Sequence, residues 1–412
     1  MSDLQQQLEA LRRKVARIDK KFQGPLAQPG SRPARFFIEE WMSGQIVETP
    51  YGCHFETERL WESHRRHGSF EISSLAQLPE DLLGPLSGGQ IAGSPPARWA
   101  FLDTETTGLA GGTGTCAFLV GVGRISADGF HLRQFFMRDY GEESSLLWAL
   151  ARHLEEFDVL VTYNGKAYDQ PLLETRFRMA RQTPPFPRLR HLDLLHGARR
   201  LWKLRVESCR LVDLENRILG VEREGDLPGE MIPYVYFEYL HTKQAFRVVP
   251  VFHHNAIDIL SLACLTGIVP FAFRSPGEAP LVHGADLVGL ARWFLSSGGR
   301  EQALGLMRRA VELGLPDDLL FRTLWETAAL EKRLGRPAQA LEILNDLASS
   351  RNPYRAAALE ELAKHHEHRE RDYAKALELV RAAIAVADSV ELRRREARLE
   401  RRLSKPRPPR LL

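Results

Sequence analysis

The feature that most constrains this 412-residue chain is an apolar run, "RWAFLD" at 98–103, ending on two carboxylates, Asp103 and Glu105, just before the turn-forming "TTG" of 106–108. In a strand, residues i and i+2 point to the same face, about 7 Å apart. The run reads as a buried strand whose end aims both acids at one spot. Two like charges held together raise each other's pKa unless a cation lies between them. Taken alone, an Asp-x-Glu pair fits an exposed strand end with two ordinary acids better.

Two further acids shift the balance. Asp169 lies in "VLVTYNGKAYDQPLLETR", where an apolar strand runs into Asn-Gly and the acid heads a helix. Asp258 interrupts the apolar helical pattern "FHHNAIDILSLACL". A charge in such a run is costly unless it is paired or bound to a metal. One cluster binding a hard cation such as Mg²⁺ or Mn²⁺ accounts for all four acids, because oxygen donors favour these ions.

The surrounding pattern predicts an α/β domain over 97–275. "RWAFLD", "CAFLVGVGRI" and "HLRQFFMR" read as three meandering strands, "SSLLWALARHLEEF" as an amphipathic helix and "DVLVTY" as a further strand. Helical patterns follow, so the expectation is a mixed sheet flanked by helices. Residues 34–82 read as a small β-rich lead-in. Leu4, Leu8, Leu11, Val15 and Ile18 form a short heptad seam in an amphipathic helix over 1–24, with a linker over 25–33.

From 283 to 403 the chain reads as all helix. Ala-Leu pairs recur at 303–304, 340–341 and 376–377 inside echoing phrases, a repeat-protein period. The spacing resembles tetratricopeptide repeats without most of their aromatic landmarks. It predicts TPR-like helical pairs able to hold a protein partner, followed by a disordered basic tail over 404–412.

The segments "FLDTETTGL", "YNGKAYDQPLL" and "HHNAIDILSL" resemble, in order, the three motifs of the DEDD 3′–5′ exonucleases of the ribonuclease-H-like superfamily. The coupling to a lead-in and a repeat tail resembles the bacterial YprB-type branch. The resemblance implies a ribonuclease-H-like fold and two-metal phosphodiester hydrolysis at a nucleic acid 3′ end, on DNA or RNA. Asp103, Glu105 and Asp258 would hold one Mg²⁺ or Mn²⁺ ion, and Asp103 and Asp169 the second. Thr106, Thr107, Gly108 and Leu109, with Asn164 of the second motif, would contact the terminal nucleotide.

The general base is where the chain departs from the family. One branch places a His five residues before the last Asp, another a Tyr four before; here His253 and His254 occupy these two positions. On a helix, i and i+4 share a face, which favours His254 beside Asp258. A helix starting late, after Pro250, would favour His253. Asp193 reads as an acid of the rim or a helix cap. Lys166 reads as exposed and Tyr163 as core, each with a possible substrate contact. Lys203, Arg205 and Arg210 form a basic stretch that would track a strand backbone or simply be solvated. Gly111–Gly114 reads as a hairpin or substrate loop.

The net charge is +3, yet residues 1–21 carry +3 and 391–412 carry +6, which leaves the middle at about −6. An acidic centre with basic ends suits metal-binding carboxylates and phosphate-seeking termini. The four cysteines are scattered without a Cys-x-x-Cys, which argues against zinc and disulfide frameworks. The N-terminus has acids and glutamines where a leader needs an apolar run, and "IDILSLACLTGIVPFAF" holds Asp258 and Pro270. A cytoplasmic protein without a membrane partner is the expectation. Three rivals remain: an inactive ribonuclease-H-like scaffold that binds nucleic acid or proteins, a ribonuclease-H-type endonuclease, and a protein whose main role lies in the TPR-like repeats with hydrolysis secondary.

Overall fold

The computed structural model describes residues 37–108, 114–223, 225–279 and 281–404. They separate into two compact units, one of residues up to Ala198 together with Ser208–Arg274, the other of Arg199–Glu207 and residues from Ser275 on.

The first unit is built on a seven-stranded mixed sheet in the order β1-β2-β7-β6-β5-β8-β9. Its centre is β5 (Trp99–Thr106), whose first four residues are buried on both faces, as a strand with sequence on either side requires. β6 (Ala117–Ser126) and β7 (Gly129–Phe136) follow as an antiparallel meander. Helix α1 (Glu143–Leu154) then returns the chain to β8 (Val159–Thr162), which pairs parallel with β5. Helix α2 (Asp169–Met179) leads to β9 (Arg190–Asp193), parallel to β8.

The lead-in is no separate body. Strands β1 (Gln45–Thr49) and β2 (Gly52–Glu62) form a hairpin, and β2 pairs along its length with β7, so both extend the main sheet. A small second ladder joins β3 (Arg66–His67) and β4 (Phe70–Glu71). The sequence positions expected to form a helix over 1–24 and a linker over 25–33 lie outside the described residues.

Helices cover both faces of the sheet. On one face α1 packs beneath β7, with His153 against Phe135 at 5.7 Å between ring centres. On the other lie α4 (Ile232–Thr242) and the long α5 (Val249–Arg274); α3 (Leu194–Trp202) follows β9. Phe118 stacks on Tyr236 at 3.8 Å, and Phe136 meets Phe252 at 4.9 Å. These aromatics anchor α4 and α5 and set the angle at which α5 crosses the sheet. α5 has the length and hydropathy of a membrane span, yet 72% of its most apolar window is buried within the protein, where it serves as a core helix.

The second unit is helical among its described residues: α6 (Gly284–Ser296), α7 (Arg300–Leu313), α8 (Asp317–Arg333), α9 (Pro337–Ser349), α10 (Arg355–His365), α11 (Tyr373–Val386) and α12 (Val390–Leu403). The three Ala-Leu phrases fall on α7, α9 and α11, and their alanines Ala303, Ala340 and Ala376 are all buried. A small residue at each of these points lets the neighbouring helix approach closely.

Candidate active site

Three elements bring four carboxylates together at the carboxyl end of β5. β5 has an antiparallel neighbour in β6 and a parallel one in β8, so the chain changes direction across this point. Such a crevice at the strand ends is where open α/β sheets place their ligands. Asp103 and Glu105 lie on the α5 side of β5, and a register irregularity between Glu105 and Thr106 ends the regular ladder there.

The approach of α5 depends on a row of three residues running across the sheet. Asp103 pairs with Gly121 of β6, and Gly121 pairs with Gln134 of β7. Asn255 of α5 lies over the glycine. Its Nδ2 donates to the Asp103 carboxylate at 2.9 Å, and its Oδ1 accepts from Gln134 Nε2 at 2.9 Å. Gln134 also donates to the Phe252 carbonyl at 2.9 Å. A Cβ on Gly121 would stand 2.3 Å from both Asn255 Oδ1 and Ile259 Cδ1. The missing side chain lets the helix settle onto the sheet, and one helical turn beyond His254 stands Asp258.

Asp169 arrives differently. After β8 the chain makes the turn Asn164–Tyr168, with Asn164 in the left-handed region at φ 67°. Asparagine tolerates that conformation better than most side chains. The carboxylate of Asp193, buried at the end of β9, accepts from the backbone amides of Asn164 at 2.8 Å, Lys166 at 3.2 Å and Leu195 at 3.1 Å. Asp193 therefore shapes the loop that delivers Asp169, and Thr104 Oγ1 donates to the Asp169 carboxylate at 2.5 Å. Replacing Asp193 by Ala strands three amides, and unfolding in urea should show a loss of about 2–4 kcal/mol.

Electrostatics follow from this crowding. Burial, then the charges of Asp258 and Asp169, raise the Asp103 carboxyl well above its ordinary range, and Asn255 and Arg223 only partly offset this. Burial, then Asp103, Asp258 and Asp169, do the same to Glu105. Burial lifts Asp169 to about 6 against its Thr104 hydrogen bond. The site holds more negative charge than its surroundings compensate.

The cations present are residues that the sequence reading passed over. The Arg223 guanidinium clamps the fully buried Glu215 through Nε at 2.6 Å and Nη2 at 2.5 Å, reaches Asp226 through Nη1 at 2.9 Å, and also bonds Asp258. Asp226 accepts from His254 Nδ1 at 2.8 Å, which turns Nε2 towards Asp258 at 3.7 Å. In sequence these residues sit in "DLENRILGVEREGDLPG", which reads as a charged connecting segment; an Arg among so many acids is the one hint it offers.

The two histidines are thereby separated. α5 begins at Val249, since Pro250 is tolerated in a first turn, so His253 is already helical. It is exposed on a different side of α5, whereas His254 is part-buried over the acids. Thr106 Oγ1 donates to the Gly108 carbonyl at 2.9 Å, and Thr107 Oγ1 accepts from the Cys116 amide at 3.1 Å. Leu109 and Gly111–Thr113 lie outside the described residues, and Gly114 is exposed. Lys166 is exposed, and Tyr163 donates to the Cys209 carbonyl. The basic stretch is divided between the units: Lys203 and Arg205 belong to the second, where Arg205 pairs with Asp286 at 2.8 Å, and Arg210 to the first.

Comparisons with known proteins agree with this architecture. Residues 100–269 match the family model described as the RNase_H superfamily, the span that holds all four acids. The chain is 33% identical over 387 residues to "Uncharacterized protein YprB" of Bacillus subtilis (strain 168), covering 89% of this chain and 91% of that protein. The chain thus belongs to the YprB family of proteins carrying an RNase H superfamily domain.

A divalent ion fits the chemistry of the donor set: four carboxylates on three elements, with Asp103, Glu105 and Asp169 all raised first by burial and then by neighbouring acids. Among the described residues no group of three or more His, Cys, Asp or Glu already stands in a coordinating arrangement. Asp258 is turned to Arg223 instead.

Proposed function

We propose that this chain is a metal-dependent 3′–5′ exonuclease acting on single-stranded or 3′-ended nucleic acid. The observation that supports it most is the convergence of Asp103, Glu105, Asp169 and Asp258 on the carboxyl end of β5, with His254 beside them. Asp103, Glu105 and Asp258 would hold one Mg²⁺ or Mn²⁺, and Asp103 with Asp169 the other. Two such ions supply a more acidic water and a charge sink for the leaving oxygen.

The chain's own residues do the rest. Neutral His254 with its Nδ1 proton on Asp226 leaves Nε2 free to accept a proton from the attacking water. The water oxygen bonds to phosphorus, the P–O3′ bond breaks, and a proton ends on the released 3′ oxygen. Thr106, Thr107, Gly108 and Leu109, which follow Glu105 in the sequence, would contact the terminal nucleotide, with Asn164 from the turn after β8. An open groove of about 780 Å³, lined by Lys166, Arg190, Glu174, Gln170 and His191 among others, adjoins the α2 end that carries Asp169 and would offer a strand backbone two cations beside one acid. The TPR-like helices of the second unit would present this domain to a protein partner, in the cytoplasm.

Burial alone would push the His254 imidazole down, but its Asp226 hydrogen bond and the charges of Asp258 and Asp226 outweigh it, so the ring keeps its proton to higher pH. In chelator the ring should therefore titrate above the ordinary value of about 6.5, followed by NMR of the imidazole. Asp226→Asn removes the main upward influence and should move that titration to lower pH.

One observation favours the scaffold rival: Asp258 is already neutralised by Arg223. Linear and circular forms of one labelled single strand separate the readings. An exonuclease shortens the linear strand from its 3′ end and spares the circle. Cleavage of the circle marks an endonuclease, and no cleavage of either marks a scaffold.

A further inference from the structure

We propose that Arg223 is the built-in counter-cation of this site, neutralising Asp258 in the metal-free protein and surrendering it when a divalent cation arrives. The proposal rests on the reading of the four acids as metal ligands.

The geometry gives Arg223 two kinds of partner. Its grip on Glu215 is two-pronged, through Nε and Nη2, and Glu215 is fully buried in a π-helical turn, Glu215–Leu219. Asp226 holds Nη1 on the flank. These contacts keep the guanidinium in place whatever Asp258 does. With 8% of its side chain exposed, Arg223 is nearly dry, and it would be costly to leave it unpaired. After Asp258 departs it still has two carboxylates, so no buried charge is orphaned.

Asp258 is placed for exchange. Its charged partners are Arg223 and, at 3.7 Å, His254, and 19% of its side chain is exposed. It stands next to Asp103 and Glu105, where a dication would gain three carboxylates at once. A monovalent guanidinium anchored elsewhere cannot follow it there. The arrangement holds the site in shape without metal and sets the affinity for metal below what the acids alone would give. Asp226 ties the exchange to His254, since one carboxylate oxygen of Asp226 serves both Arg223 and the imidazole.

The test uses the full chain and a neutral replacement of the clamp, Arg223→Gln with Glu215→Gln, which removes the guanidinium together with its deepest carboxylate, leaves Asp226 on His254 and releases Asp258 from its cation. Titration calorimetry with Mn²⁺ alone should show tighter binding by this double variant than by wild type, by about tenfold or more, the equivalent of one lost charged hydrogen bond. In chelator, Asp258→Asn should lower the melting midpoint in the wild-type background and fail to lower it in the double-Gln background. Equal Mn²⁺ affinities, or an Asp258→Asn effect that is the same in both backgrounds, would overturn the proposal while leaving the metal reading intact. No Mn²⁺ binding by any form would overturn both, and a background-dependent Asp258→Asn effect would then mark Arg223 as a permanent neutraliser.

Discussion

Asp103→Asn should abolish strand cleavage, by about 10³-fold or more, and at the same time make the metal-free protein more stable. The first effect follows from position: Asp103 is the carboxylate shared by both proposed ions, and removing a group on which others depend costs nearly the whole rate. The second follows from charge. The Asp103 carboxyl is raised by burial and by its acidic neighbours, so its ionised form is a burden to the fold. A carboxyl raised in the folded state penalises stability above its folded pKa, and the penalty disappears below the unfolded value of about 3.9. The substitution should therefore raise the melting midpoint in chelator at neutral pH, and the gain should fade towards pH 4. Asn255 can still donate to the amide oxygen that takes the place of the Asp103 carboxylate, so the fold keeps its contact. Adding Mn²⁺ should reverse the order, stabilising wild type and not the variant. A loss of both activity and stability in chelator would mean that Asp103 is a structural acid.

Gly121→Val should be the most damaging apolar substitution in the sheet. The space above Gly121 is filled by Asn255 and Ile259, and its Cβ would fall 2.3 Å from each. Neither can yield easily: Asn255 is tied to Asp103 and Gln134, and Ile259 is buried in α5. The helix must lift, and overpacking of this kind costs about 1–3 kcal/mol or more. Because α5 carries His254 and Asp258, a shift of about 1 Å should also reduce cleavage about 10²-fold, beyond what the stability loss explains. The check is a urea midpoint paired with kcat measured well below that midpoint.

The central strands and the helices between them were legible because their patterns are local. "RWAFLD", "AFLVGVGRI" and "HLRQFF" are long apolar or alternating runs, and each became the strand expected. The four acids stood out because each follows or interrupts such a run. What was not legible depends on distance. The pairing of β2 with β7 joins segments far apart in the chain, and alternation alone cannot tell a separate hairpin from an added edge. Gly121 looks like an ordinary small residue until α5 is seen above it. Arg223, Asp226 and Glu215 read as surface charges in a charged segment, and only the fold buries them together. His253 and His254 could not be separated from spacing, because their difference lies in where α5 begins.

The most direct test of the central claim is a 5′-labelled single strand, as DNA and as RNA, incubated with wild type and with Asp103→Asn in Mn²⁺, Mg²⁺ or chelator, with Mn²⁺ binding measured on the same preparations. A ladder that shortens from the 3′ end with wild type and metal, absent with Asp103→Asn and in chelator, is the predicted result. Undiminished cleavage in chelator, or a wild type that neither binds Mn²⁺ nor cuts either strand, would contradict it.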